Sequence, residues 1–438
     1  MSANLNLTVL GAGYLGITHA AAMASLGFDV LGVDTNPGRV DQLNRGELPI
    51  YEPGLGELMR SGLAAGRLRF STSYPAAAAF GDVHFICTGT PQLPGSSAAD
   101  LSQVNSCVSA LAPLLDRPCL VVGKSTVPVG TARRLAAELA AAYPGAELAW
   151  NPEFLREGNA VADTLAPDRI VAGVTSSRAE QILRQVYAKP LADGTPFIVT
   201  GLETAELAKA AANAFLATKI SFINAMAEIC EAAGGDVRAL AEVLGADKRI
   251  GGSFLRAGLG FGGGCLPKDV RAFRATASSL GVDSLVSLLT TVDAINQGRR
   301  DRVIALARDI LGDGLTGKRV AVLGVAFKPN SDDIRDSASL AVCDRLTAEG
   351  AVVSVHDPVA MPNASKVQPG LRYARSVPEA AEGADLVLHL TEWSDYQAID
   401  PAALARVVAK RVIIDARCCL DTGLWTDAGW SVRVLGRP

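Results

Sequence analysis

The sequence predicts an α/β protein: two doubly wound parallel-sheet domains joined by a central helical domain that contains one long helix. Three observations predict it. Short apolar runs alternate with alanine-rich helical stretches up to about residue 198, the pattern of a parallel sheet. Residues 203–233 are strong helix formers without proline and stop at the Gly234-Gly235 pair, as one long helix would. Beyond residue 311 the alternation of strand and helix resumes. At 438 residues the chain exceeds one hydrophobic core, and the reading divides it into 1–198, 199–311 and 312–438.

In the first domain, residues 5–10 read as a buried strand, 14–26 as a helix, 28–33 as a second strand and 83–87 as a third. Further strands are expected at 119–122, 147–150 and 169–172. In the middle, Asp236 caps a short helix, a glycine-rich loop spans 258–264, and helical sequence follows Pro267 to about Leu311. The last domain begins with a strand at 319–324 and a helix near 338–349. Strands at 352–356, 385–390 and 411–415 complete it. Its first turn, Gly324-Val325-Ala326-Phe327, is not a GxGxxG, so a second dinucleotide is not expected there.

Composition narrows the function. Hydrophobic residues make up 49% and charged residues 20%, which excludes a disordered chain. A net charge of −4 supplies no field for nucleic acid, so any phosphate must be held locally. The first basic residue is Arg39, leaving no positive flank for a signal peptide, and Lys209, Lys219 and Glu228 interrupt the longest apolar candidate for a membrane span. The expectation is a cytoplasmic protein with no membrane partner. Eight irregularly spaced cysteines suit reduced thiols rather than a disulfide framework. No metal is expected, because Cys418 and Cys419 are adjacent rather than in CxxC spacing, and His19, His84, His356 and His389 lie far apart in sequence.

Gly11-Ala12-Gly13-Tyr14-Leu15-Gly16 follows a strand and opens a helix, the context in which amide N–H groups and the helix dipole hold a pyrophosphate. Asp34 ends the next strand, where a carboxylate accepts ribose hydroxyls and repels a 2′-phosphate, favouring NAD over NADP. Thr88-Gly89-Thr90-Pro91 and Lys124-Ser125-Thr126-Val127-Pro128 follow later strands at the carboxyl edge and should flank the nicotinamide. For Thr126 the alternative is a cap on the helix beginning near Gly130.

In the stretch from Gly260 through Cys265 to Asp269, glycines precede one thiol, and Pro267 can begin a helix. A thiol near a helix N-terminus, beside Lys268, is favoured as thiolate; the alternative is a small buried apolar group. Lys209 and Asn213 are four residues apart on the long helix, so an ammonium and an amide can converge on one oxyanion; both can equally be solvated. Asn151-Pro152-Glu153-Phe154-Leu155-Arg156-Glu157-Gly158 places two carboxylates near the same sheet edge. Glu157 is read as an ion-pair partner of Arg156, and Glu153, between proline and phenylalanine, as the better base.

Taken together, the GAGYLG turn, STVPVGT, NPEFLREG, ANAFLATKISFIN, RIGGSFLRAGLGFGGGCLPKD and AFKPNSDDIRDS resemble the UDP-glucose/GDP-mannose dehydrogenase family over nearly the whole chain. The wording around the cysteine and the long helix favours its UDP-glucose branch. The resemblance implies two Rossmann-like domains, the first for NAD and the last for the nucleotide sugar, with central helices forming a homodimer or higher homo-oligomer. By the same resemblance Cys265 is the nucleophile, Lys209 and Asn213 are oxyanion stabilisers, Asp269 and Thr126 position water, and Glu153 is the base for thioester hydrolysis. Glu157 is a supporting carboxylate, and Arg335 reaches the cofactor with the turn residues Gly11, Gly13, Tyr14, Leu15 and Gly16 and with Asp34, Thr88, Gly89, Thr90 and Ser125. Substrate contacts fall on Glu153, Phe154, Leu155, Arg156, Phe254, Gly262, Phe327, Lys328 and Arg417, with Arg249 donated to a neighbouring subunit.

The implied reaction is oxidation of the sugar's C6 alcohol to an aldehyde, addition of the thiolate, a second oxidation to a thioester, and hydrolysis to the uronate, with two NAD consumed. Two positions depart from the commoner pattern: Gly264 where many members carry serine, and Ala225 where many carry glutamate. Three other readings stay open at this point: the same chemistry on dTDP-glucose, GDP-mannose or a UDP-N-acetyl-hexosamine, a single-step hydroxyacid dehydrogenase, and a nucleotide-binding regulator without catalysis.

Overall fold

A computed structural model describes residues 5–312 and 314–437. The first sheet is built from β1 (Asn6–Leu10), β2 (Asp29–Val33), β3 (Leu68–Ser71), β4 (Val83–Ile86), β5 (Cys119–Gly123), β6 (Ala146–Trp150), β7 (Ile170–Gly173) and β8 (Phe197–Thr200). Their order is β3-β2-β1-β4-β5-β6-β7-β8, all parallel except the β6–β7 pair, which is antiparallel and meets at Trp150 and Gly173. The second sheet comprises β9 (Arg319–Leu323), β10 (Val352–His356), β11 (Arg372–Tyr373), β12 (Leu386–His389), β13 (Val412–Asp415) and β14 (Ser431–Val434). Its order, β11-β10-β9-β12-β13-β14, repeats the first six places of the first sheet. Both are Rossmann-like, with the order reversing beside the first strand, where such sheets bind ligands.

Central strands formed where apolar runs predicted them, because a strand covered by helices on both faces must be apolar throughout. In the first sheet Leu7, Val9, Leu120 and Val122 pack on one face and Leu10, Ile86, Val121 and Leu148 on the other. Edge strands escaped the sequence reading. β3 alternates buried Leu68 and Phe70 with exposed Arg69, and β14 leaves Ser431 and Arg433 exposed, so neither forms an apolar run.

Contacts divide the chain into two compact units, Met1–Ala212 and Asn213–Pro438, the boundary falling within the long helix Leu202–Ala233. The second unit holds the remaining central helices as well as the second sheet. Asp236 caps the helix Val237–Ala246 through the Arg238 N–H, as expected. The helical stretch after Cys265 is two helices, Leu266–Ser279 and Asp283–Leu311, separated where Gly281 adopts φ +71°. No helix among the described residues is long and apolar enough to cross a membrane.

The two sheets treat their first turns differently. Asp34 beyond β2 accepts one turn amide, Ala12 N–H, at 2.9 Å. Its counterpart Asp357 beyond β10 is fully buried; its Oδ2 accepts Val325 N–H at 2.8 Å and Ala326 N–H at 2.9 Å, and its Oδ1 accepts Val359 and Ala360 N–H at 3.0 and 2.8 Å. A protein carboxylate therefore fills the amides that a phosphate would need in the second turn. Asp357→Ala should lower stability by about 3 kcal/mol or more, since each buried amide left unpaired costs about 1–3 kcal/mol. Urea denaturation checks this, and a loss below about 1 kcal/mol would contradict the assignment.

Candidate active site

The first unit supplies a phosphate-binding turn. Gly13 precedes the helix Tyr14–Ser25 with no side-chain cap, so the helix starts with amides open to a ligand. Gly16 is required by close packing, because a β-carbon there would lie 1.8 Å from the Gly11 carbonyl oxygen. Asp34 is steadied by the Ala12 and Asn36 amides, both at 2.9 Å, with Arg39 at 3.4 Å. These features fit a dinucleotide with a free 2′-hydroxyl. Across the turn, Ser125 donates to the Thr88 carbonyl at 2.7 Å and ties together the two loops expected at the nicotinamide.

Thr126 does not cap the helix Thr131–Ala142. Gly130 is the N-cap, and buried Glu206 on the long helix accepts its N–H at 2.8 Å and that of Ala132 at 2.6 Å. Burial raises the Glu206 carboxyl above its ordinary range despite these amides. Sequence reasoning passed over Glu206, although it lies one turn before Lys209 on the same helix face.

Glu153 and Lys209 form an ion pair at 3.0 Å, their side chains 14% and 5% exposed, and the Glu153 Oε2 also accepts the Leu155 N–H at 2.8 Å. The two candidate residues are thus brought together, and Lys209 is not a solvated surface group. Phe154 packs its ring against the Arg169 guanidinium at 3.9 Å. Arg156 was read as a partner of Glu157, but its guanidinium engages Asp163, with Nε and Nη2 donating at 2.9 and 2.6 Å. Glu157 itself is buried.

Buried Glu52, absent from the sequence reading, anchors this loop. Its Oε2 accepts the Tyr14 hydroxyl and the Gly158 N–H, the latter at 2.6 Å, and its Oε1 accepts the Ala160 N–H at 2.7 Å. Burial foremost, with Glu52 adjacent, pushes the Tyr14 hydroxyl well above the usual phenol range. No local signal marks Glu52, because its partners stand 38, 106 and 108 residues away.

In the second unit, half-buried Cys265 is the N-cap of the helix Leu266–Ser279, with proline in its first turn. Buried Asp269 lies one turn on, accepting the Asn213 amide at 2.6 Å and the Lys268 ammonium at 2.5 Å. Lys268 is therefore engaged by Asp269, and the helix N-terminus remains as a source of positive potential beside the thiol. At Gly264 a β-carbon would meet only the tip of the Arg335 side chain, which is 61% exposed, so the structure does not demand glycine there. Arg335 is held by Asp333 at 2.7–3.0 Å, and the Asp333 Oδ2 also accepts the Gly264 N–H at 3.3 Å.

Phe327 packs over Gly263, Lys328 places its ammonium 5.3 Å from the Phe327 ring, and Arg417 donates to the carbonyls of Leu390, Gly260 and Phe327. Gly262 lies against the Asp336 carbonyl, and Phe254 has φ +63°, unusual for a side chain of its size. Arg249 is 89% exposed and bonded to Asp247. Ala225 is half-buried on the long helix, and nothing in the structure explains alanine there.

Among the described residues, potential ligand atoms of His389, Asp415 and Cys419 gather within 4.8 Å, a grouping their sequence spacing did not suggest. Asp415 is already saturated, its Oδ1 taking Arg417 N–H and His389 Nδ1 and its Oδ2 taking Cys419 and Leu420 N–H, so the trio anchors a turn.

Three family models match in chain order: the NAD binding domain of the UDP-glucose/GDP-mannose dehydrogenase family over residues 5–191, its central domain over 203–298 and its UDP binding domain over 321–422. The chain belongs to the UDP-glucose/GDP-mannose dehydrogenase family. It is 41% identical over 442 residues to a UDP-glucose 6-dehydrogenase of Rhizobium meliloti, covering 99% of this chain and 100% of that one. A UDP-glucose 6-dehydrogenase of Bacillus subtilis is 40% identical over 437 residues, with 99% and 98% covered. The solved structure of a UDP-glucose dehydrogenase from the hyperthermophilic archaeon Pyrobaculum islandicum superposes with a TM-score of 0.92 at 38% identity, covering 100% of this chain and 99% of that one. This member of the family is an NAD-dependent oxidoreductase whose first sheet carries the cofactor domain.

For Asp34→Ala we expect kcat/KM with NAD to fall about 10- to 100-fold, the worth of one charged hydrogen bond, while use of NADP rises. Steady-state kinetics with both cofactors check this, and an unchanged NAD/NADP ratio would contradict the role of the carboxylate.

Proposed function

We propose that the protein oxidises the C6 alcohol of UDP-glucose to the carboxylate of UDP-glucuronate through a covalent thioester on Cys265. The observation that carries the reading is the setting of that thiol. Six of the eight cysteines are buried, and burial pushes the thiols of Cys87, Cys107 and Cys418 up to about 12. Half-buried Cys419 is pushed up to about 12 by the same cause. Cys265 alone combines partial exposure with a helix N-terminus.

NAD, when bound, accepts hydride from C6 in each of two successive oxidations. The chain's own residues do the rest. In the first step the hydroxyl proton leaves through water positioned by Thr126 and Asp269. The Cys265 thiolate then adds to the aldehyde carbon, and the resulting oxyanion is met by the Lys209 ammonium and the Asn213 amide, an interaction typically worth about 2.7–4 kcal/mol of barrier. Loss of the second hydride leaves a thioester. Glu153 takes a proton from water, whose oxygen attacks the acyl carbon and expels the thiolate. Lys209 and Asn213 reach these oxygens by exchanging Glu153 and Asp269, their partners in the resting protein, for substrate.

Glu157, Phe154, Leu155, Arg156, Phe254, Gly262, Phe327, Lys328, Arg335 and Arg417 complete the assignment as cofactor and substrate contacts. The functional division remains 1–198 for NAD, 199–311 for the helices and thiol, and 312–438 for the nucleotide sugar. We further read the protein as a cytoplasmic homodimer or higher homo-oligomer. No disulfide joins the cysteines among the described residues, which suits a reducing compartment. Phe215, Phe222 and Ile229 recur every seven residues on the long helix and are 67%, 49% and 60% exposed, a stripe suited to a second copy. Exposed Arg249 is then available to serve the neighbouring subunit's substrate.

NADH yield separates the readings. Two NADH per UDP-glucose are expected, with lower rates on dTDP-glucose, GDP-mannose and UDP-N-acetyl sugars, and Cys265→Ser should lose completion of the second oxidation. One NADH with free aldehyde, or full activity in Cys265→Ala, would instead establish a single-step dehydrogenase.

A further inference from the structure

The thiol loop lacks a backbone framework of its own. Among the described residues, no amide or carbonyl of residues 256–262 bonds to another backbone group, although Ala257, Leu259 and Phe261 are buried. Buried peptide groups need partners, and here side chains supply them. Asn224 on the long helix accepts the Gly258 N–H at 2.8 Å. Arg299, fully buried on the helix Asp283–Leu311, donates to the Gly258 carbonyl at 3.1 Å and to Glu228 at 3.2 Å. Asn296, one turn before Arg299 and 1% exposed, grips one residue at both ends: its Oδ1 accepts the Phe261 N–H at 2.7 Å and its Nδ2 donates to the Phe261 carbonyl at 3.0 Å.

The two-point contact matters because side-chain packing stops immediately after it. Phe261 packs into the cluster of Ala214, Ala217, Val270, Leu289 and Val292, but the next three residues are glycines with no side chain to pack. Gly263 and Gly264 each have one hydrogen bond through their N–H groups, to the Arg335 carbonyl and to Asp333. Orientation of the chain entering this glycine run is set at the Phe261 peptide groups. A single hydrogen bond would fix the position of the segment; two opposed bonds from one planar amide also fix its rotation. Gly260, at φ +92°, brings the backbone so near that a β-carbon there would lie 2.4 Å from the Asn296 Oδ1.

We propose that Asn296 is the positioning residue for the Cys265 thiol, locking the orientation of the Phe261 backbone so that the sulfur stands at the start of its helix. The role rests on the reading of Cys265 as nucleophile and extends it to a side chain that touches neither sugar nor cofactor. Arg299 and Asn224 hold the same segment farther upstream, at Gly258, whereas Asn296 holds the residue directly before the glycine run.

The test uses the full chain carrying Asn296→Asp, which keeps the acceptor for the Phe261 N–H but sets an oxygen against the Phe261 carbonyl. Alkylation of Cys265 by iodoacetamide without substrate, read out by peptide mass spectrometry, should slow at least threefold. The kcat should fall at least tenfold while the KM for NAD stays within twofold. An unchanged alkylation rate, an unchanged kcat, or a rise in the KM for NAD that matches the loss of kcat would each overturn the proposal. Should Asn296→Asp fail to fold, Asn296→Ser decides by the same readouts, because a single hydroxyl cannot bond both Phe261 peptide groups. Alkylation reports on the sulfur whatever its chemistry, so complete two-step turnover by Cys265→Ser would sink the nucleophile reading while leaving the positioning result to stand or fall separately.

Discussion

The segment leading to Cys265 is neither strand nor helix, and among the described residues no peptide group of residues 256–262 bonds to another backbone group. In this protein buried side chains provide the partners: Asn224, Asn296 and Arg299 bond to the loop before Cys265, and Arg417 adds a bond to the Gly260 carbonyl. Each of these groups would be costly to bury alone, so their presence in the core is explained by the loop they bind. The helix beginning at Leu266 then supplies its N-terminus to the sulfur.

The same competition for amides distinguishes the two sheets. Their strand orders agree over six positions, yet their turns are used differently. Asp34 takes one amide of the first turn and leaves the helix start open, whereas Asp357 takes two in the second turn and closes it. One topology therefore serves a dinucleotide in the first unit, while the second is assigned to UDP binding by its family model.

Much of this was legible in the sequence because it is local. The glycine turn, the strand before it and Asp34 lie within one βαβ unit, and the proline after Cys265 announces a helix. Central strands could be read since burial on both faces leaves unbroken apolar runs, while β3 and β14 carry polar residues on their open sides and could not. Pairings that no regular helix or strand spacing announces were beyond reach. Glu52 meets Tyr14 and Gly158, Arg156 meets Asp163 instead of its neighbour Glu157, and His389 meets Asp415, each through tertiary placement rather than spacing.

The central claim, that sulfur carries the sugar during oxidation, is tested most directly by trapping the adduct. Glu153→Gln should form the thioester but open it slowly. Intact-protein and peptide mass spectrometry after mixing this variant with UDP-glucose and NAD should show the nucleotide sugar attached to the peptide containing Cys265. Unmodified Cys265 in protein that has already reduced two NAD per sugar would contradict the account.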